Sequence, residues 1–187
     1  MKTYACYLVM FLAAALPLHS GAQEWRMDPG ASRLEFIASF EKAPAPGVFK
    51  EFDIRMRFDP ARPAEGRLEV NIRVPSADMA SADINKAIAS AEWFDFLRFP
   101  QAQFTAGDIR RSEGNRFLAR GTLSLKGTQQ QVEVPFSWSG TADGASMEGE
   151  LTLRRSAFAI GTGEWAATNV IGADVKVRFR VRLRKAG

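Results

Sequence analysis

The sequence predicts an all-β protein: an eight-stranded antiparallel barrel, with one or two short helices in the crossing from strand three to strand four. Three observations carry this. Apolar and polar residues alternate with period two in eight separate segments, the pattern of strands with one wet and one dry face. Most of the connections are short and rich in turn residues. A meander of this length must also deal with two open edges, and closure removes them. A β-sandwich would show the same alternation and is the alternative architecture.

The chain of 187 residues opens with MKT, followed by the apolar run YACYLVMFLAAALPL and then HSGAQ. A charged start, an apolar stretch of about 15 residues and small residues at Ser20 and Ala22 read as a cleaved secretory signal peptide over residues 1–22. The run is shorter than the roughly 20 residues of a spanning helix. Residues 23–187 are then expected to form a single domain, exported to the periplasm or secreted. That length suffices for one core. A formal net charge of +4 says little about nucleic acid, and none is expected as a partner.

Each strand follows from its alternation. In 32–40, Leu34, Phe36, Ala38 and Phe40 share a face; in 48–58, Phe52, Ile54, Met56 and Phe58 do so. Leu68, Val70, Ile72 and Val74 form the third dry face, and the weaker stretch 101–109 gives the fourth. Phe117, Ala119, Gly121, Leu123 and Leu125 follow, then Val132, Val134, Phe136 and Trp138. Met147, Leu151 and Leu153 lead to Arg155, and Val175, Val177, Phe179, Val181 and Leu183 close the set. Small residues among large rings suit either a hollow barrel or a solid core built by large–small interdigitation. The pattern leaves that open.

Residues 76–100 are the longest crossing. Ile84, Ile88 and Ala91 recur at helical spacing, with Ser81 or Asp83 as N-cap. The segment SAEWFDFLRFPQAQF then packs four aromatic residues, Trp93, Phe94, Phe96 and Phe99, into seven positions. Residues 161–172, GTGEWAATNVIG, form a second long loop.

The only Cys and the only His fall within the first 22 residues. Residues 23–187 therefore lack the means for a disulfide framework, a thiolate nucleophile, a Cys/His metal site or a His general base. No cofactor and no metal are expected. Ser39 and Lys42 match Ser-x-x-Lys, but on a strand end rather than the helix that chemistry needs.

In order along the chain, WRMDPGASRLEF, GVFKEFD, the aromatic segment at 92–104, ARGTLSLKGTQQQVEVPF and LTLRRSAFAIG resemble the successive motifs of the YceI-like family. The likeness runs from about residue 25 to 184. Three positions depart from it: Ser124 stands for a frequent Thr, Ala157 for the usual Asp, and Ala159 for the usual Gly. The resemblance implies a lipocalin-like barrel holding a long apolar ligand, namely a polyisoprenoid, an isoprenoid quinone, or a fatty acid or amide, for carriage or sequestration without catalysis. The helix and aromatic segment would then sit over one end as plug and lid. The expected ligand-binding set is Phe36, Phe52, Ile54, Ile88, Trp93, Phe94, Phe104, Leu123, Phe136, Trp138, Leu153, Arg155, Phe158 and Trp165.

Arg155 has three readings. It could hold a ligand head group with its planar fork, pair with an internal carboxylate such as Asp108 or Glu164, or stand at the rim if the strand stops at Arg154. Lys176, Arg178, Arg180, Arg182 and Arg184 line the wet face of the last strand. They read either as a patch for transient contact with an anionic membrane surface or as a solvated row paired with acids such as Glu69, Glu133 and Glu148. Two other classes stay in view: a barrel hydrolase or isomerase using carboxylate and Arg chemistry, and a solid-core partner-binding protein. A homodimer is left open.

Overall fold

The computed structural model describes residues 22–141 and 144–186. The leader expected at 1–22 lies, apart from Ala22, outside them. The strands are β1 (Glu24–Met27), β2 (Arg33–Phe40), β3 (Ala43–Phe49), β4 (Phe52–Arg57), β5 (Arg67–Arg73), β6 (Ala77–Asp78), β7 (Gln101–Glu113), β8 (Arg116–Leu125), β9 (Thr128–Gly140), β10 (Gly144–Arg154) and β11 (Asp174–Lys185). Helix α1 spans Ala82–Ile88. Short 3-10 turns fill the corners.

The eleven segments make an eight-stranded closed antiparallel barrel. β1 and β2 are two halves of one strand, broken at 29–31 where the Asp28 carboxylate accepts from Gly30 N (3.2 Å). β3 and β4 are likewise halves of one strand, broken at Lys50 and Glu51. β1 pairs with both β11 and β4, through Trp25 opposite Lys185 and Trp25 opposite Met56, and that closes the ring. β6 adds two residues to the free side of β3. Apart from β6, the strands of the barrel follow one another around it in chain order, as the meander requires.

Among the boundaries that differ from the sequence reading, two have a plain physical cause. Ala43–Phe49, with Pro44 and Pro46, is strand rather than loop. It pairs with β2 on one side, and beyond Val48 and Phe49 its other side is an edge, where a missing N–H costs nothing. β9 starts at Thr128, four residues early, because Lys126 and Gly127 both take positive φ (48° and 74°) and turn the chain in two residues.

β9 and β10 bond each other only over Ser137–Gly140 and Ala145–Glu148. Past Glu148 the two strands part, β9 staying with β8 and β10 with β11. The seam is flanked inside by Val132, Val134, Leu151 and Leu153.

The interior is solid at one end and hollow at the other. At the solid end Phe58 meets Phe117 (5.0 Å), Phe136 (5.8 Å) and Trp138 (4.9 Å) edge to face, and Trp25 meets Trp138 (5.3 Å). Trp25 Nε1 donates to the Phe58 carbonyl (3.0 Å), so the indole polar atom is satisfied inside. Ala119 and Gly121 face in here, yet they leave no space. A Cβ on Gly121 would run into the Thr105 carbonyl and Ala106, so the missing side chain lets β7 and β8 approach. At the other end room remains, between aliphatic residues and a few rings.

Candidate ligand-binding site

Two apolar chambers occupy the hollow end. The larger, about 450 Å³, lies under α1, the segment 89–100 and the loop 160–172. The deeper, about 130 Å³, lies within the strands, above the aromatic floor. Phe49, Leu125, Leu153 and Val177 line both, so the two chambers adjoin, with these four residues as a waist between them. The larger chamber alone is in the range of small-molecule sites.

The expected residues sort by height in the barrel. Phe36, Ile88, Trp93, Phe94, Leu153, Arg155, Phe158 and Trp165 line the larger chamber. Phe52, Ile54, Phe104, Leu123 and again Leu153 line the deeper one. Phe136 and Trp138, expected in the ligand-binding set, line neither and pack in the aromatic floor. Their alternation is the same as that of Phe104 or Leu123; only their level differs. Sequence reasoning missed Phe49, Leu125 and Val177 as site residues, although alternation had already turned Leu125 and Val177 inward.

The aromatic segment is part wall and part support. Trp93 faces Trp165 across the mouth (5.8 Å), and Phe94 packs on Phe36 (6.4 Å) and Phe49 (6.3 Å). Phe96 stacks behind Phe94 (6.2 Å) without reaching the chamber. Lys126 ties the segment down, donating from Nζ to the carbonyls of Ala91 (2.7 Å) and Ala159 (2.7 Å). Partial burial there pushes the Lys126 ammonium below its usual pKa.

Ser81 caps α1, its hydroxyl accepting from Ile84 N (3.4 Å). The helix ends at Ile88, so Ala91 lies beyond it; Ile88 is buried while Ile84 stands at the mouth. Asp78 anchors the helix to the barrel. Its carboxylate takes Lys50 Nζ (2.5 Å), Asn85 Nδ2 (2.8 Å) and Ala80 N (2.9 Å), while Asn85 Oδ1 accepts from Met79 N (2.8 Å). Hydrogen bonds from Lys50, then Asn85, then Ala80 hold the Asp78 carboxyl far below the usual carboxylate range. A depressed folded pKa stabilises above the unfolded value, about 3.9, and is lost only as pH falls through the folded one. Protection of the 84–88 amides against hydrogen exchange, relative to the unfolded amide at the same pH, should therefore hold through pH 4 and fall only in stronger acid. In Asp78→Asn it should be lower at neutral pH and nearly flat with acid. Fraying of the wild-type helix at pH 4 would show that this anchor does not hold it.

Arg155, a buried charge only 4% exposed, lines the larger chamber. β10 does stop at Arg154, but the next residue turns in rather than out. Among the described residues no carboxylate meets it: neither Asp108, engaged by Arg110 (2.8 Å), nor Glu164. Nε donates to the Gly172 carbonyl (2.9 Å). Nη1 donates to Ile160 (3.0 Å) and Gly161 (2.7 Å), and Nη2 to Trp165 (2.7 Å), Ala167 (3.2 Å) and Ile171 (3.0 Å). Six carbonyls of the loop 160–172 thus point at one guanidinium, whose five N–H groups are all used. Burial lowers its pKa, with no acid beside it to offset the shift. Ala159, where the family usually has Gly, sits at φ 52°, a left-handed conformation that costs an alanine about 1 kcal/mol.

The basic row on β11 is mostly paired. Arg178 and Lys176 share Glu150 (2.8 and 3.5 Å), Arg180 meets Glu148 (3.2 Å) and Arg184 meets Asp28 (3.7 Å). The partners are these three acids; Glu133, one of those expected, pairs with Arg120 instead (2.5 Å).

Residues 25–183 match the model of the YceI-like domain. The chain belongs to the YceI-like family. A Photorhabdus laumondii relative, UPF0312 protein plu2095, is 30% identical over 116 residues, and Protein YceI of Salmonella arizonae is 31% identical over the same length. Each alignment covers 58% of this chain, and the chain spans about 60% of the length of these curated relatives. Among solved structures, Burkholderia cenocepacia BcnA superposes with a TM-score of 0.81 at 32% identity, over 83% of this chain and 98% of its own. A polyisoprenoid binding domain from Saccharophagus degradans gives 0.71 at 16% identity, over 89% of this chain and 99% of its own, a likeness of fold.

Proposed function

We propose that this YceI-like barrel is an exported protein that holds a long apolar molecule in its two chambers, for carriage or sequestration in the periplasm. The observation behind this is the pair of apolar chambers in the barrel, which share Phe49, Leu125, Leu153 and Val177 as walls. A polyisoprenoid tail fits it first, then an isoprenoid quinone or a fatty amide, and the Saccharophagus domain of the same fold is described as polyisoprenoid binding. Each buried CH₂ contributes about 0.8 kcal/mol, so a chain sunk by roughly ten carbons gains about 8 kcal/mol before ordering costs. The wall contributes shape, not chemistry. Its one carboxylate, Asp83, stands at the mouth without a second acid, and the guanidinium of Arg155 is fully engaged by backbone, which favours binding over catalysis. The mouth also carries Phe40 and Ile84, both exposed, beside exposed Val170, suited to brief contact with a membrane from which a chain is drawn.

Native mass spectrometry of the protein taken from its own host's envelope should show one long-chain molecule per barrel. Leu153→Trp, which fills the waist, should lower that occupancy several-fold and favour shorter chains. Protein that is empty, and stays empty after exposure to host lipid extract, would overturn the reading.

A further inference from the structure

β9 and β10 stop pairing at Ser137 and Glu148, although β9 extends to Thr128 and β10 to Arg154. The sequence supplies a cause. Trp138 N donates to the Asn115 carbonyl (2.9 Å), just before β8. Donors alternate sides along an antiparallel strand, so the odd-numbered residues of β9 present their N–H to β10. The next bonded pair on that side would be Pro135 with Glu150, and Pro135 has no N–H to give. Glu150 is engaged on its other side by Lys176 (3.5 Å) and Arg178 (2.8 Å) of β11. At Gly149 the strands still touch, since a Cβ there would run into the Pro135 carbonyl. Beyond it, among the described residues, the bond that crosses the seam is Gln130 Nε2 to the Ala157 carbonyl (3.4 Å). The inner lips are Val132 and Val134 on β9 and Leu151 and Leu153 on β10, all walls of the deeper chamber; Leu153 lines the larger one as well. The cover of the larger chamber is pinned in contrast: α1 through Asp78, the segment 89–100 through Lys126 and the loop 160–172 through Arg155. Lifting it breaks polar bonds, whereas the seam has no ladder to break.

We infer that the seam between β9 and β10 is a lateral portal, through which a long apolar chain enters and leaves the barrel sideways between the lips Val132–Val134 and Leu151–Leu153. This rests on the chain-binding reading above and adds a route to it. Because the seam flanks both chambers, a chain drawn at the mouth is laid in along its length and need not be threaded end-first past the waist. Passage displaces aliphatic side chains and the single Gln130 bond.

The only cysteine is Cys6, within the expected leader, so a thiol pair can be placed cleanly in the exported protein. Glu133→Cys/Thr152→Cys puts one thiol on each side of the seam at exposed positions, and a short bis-maleimide bridges them. Thr105→Cys/Thr122→Cys, bridged across the paired strands β7 and β8, is the control. cis-Parinaric acid, whose polyene fluoresces in apolar surroundings, reports uptake by stopped flow and release by dilution. Bridging the seam should slow uptake and release alike, each about tenfold, so that affinity stays within about twofold of the unbridged protein. The control bridge should change neither. Rates unchanged by the seam bridge overturn the portal and leave chain binding standing. Affinity lost on bridging makes the seam a wall of the site rather than its door, and overturns the portal too. A wild-type protein that takes up no cis-parinaric acid sinks the chain-binding reading and the portal together.

Discussion

Arg155→Ala should destabilise the protein by about 3–5 kcal/mol, the range for breaking a buried charged network, and lower the melting temperature by roughly 10 °C. The reason is the number of acceptors stranded. Six main-chain carbonyls turn toward one side chain, from a loop with few backbone hydrogen bonds of its own. Each buried carbonyl left unpaired costs about 1–3 kcal/mol, and the loop will open to water rather than bear them all. Arg155→Lys should rescue little, because an ammonium has three donors on a different geometry. Limited proteolysis should then cut within 160–172 before the barrel itself is attacked, since that segment loses its anchor while the ladders of β7 to β10 are untouched. A head-group role would predict the reverse: normal stability with altered ligand choice. Urea denaturation with m-value control separates the two, and an Arg155→Ala protein within about 0.5 kcal/mol of wild type would refute the anchoring role.

The Arg155 case shows where reading the sequence stops. Alternation along 147–153 pointed to an inward Arg155, and the residue is indeed buried. Its partners were not legible, because they are carbonyls, which every residue possesses, brought round by a loop with no periodicity. The same limit applied to β3. Two prolines in APAPG argue against a strand, and only the knowledge that this segment borders an edge makes them harmless. What was legible was whatever depends on side-chain period alone: eight strands, their dry faces, the capped helix after Ser81. Height along the barrel depends on the stagger between strands, and period two carries no information about stagger. Phe104 and Phe136 are equivalent as sequence, yet one walls a chamber and the other is floor. The question of hollow or solid had two answers in one molecule for the same reason.

That division makes the second large effect specific to one end. Phe58→Ala should cost about 3–5 kcal/mol, the usual range for deleting a buried ring, and should do so without emptying the ligand site. Phe58 has no exposure and is the hub of the floor, within 4.9 to 5.8 Å of three other rings. Its carbonyl also holds the indole of Trp25 on β1, the half-strand that closes the barrel. Phe117 and Trp138 cannot both relax into the void, because each is fixed by a second ring, so most of the cavity persists. Against a total stability of the usual 5–15 kcal/mol, the loss is severe but leaves a folded majority at low temperature. Phe94→Ala gives the contrast. Phe94 is half-buried at the mouth, so its removal should cost less stability and speed ligand release more. Measured at equal folded fraction, Phe58→Ala should release a bound chain at the wild-type rate and Phe94→Ala several-fold faster. If both released it equally fast, the floor would be part of the binding site and the chambers would extend deeper than their present walls.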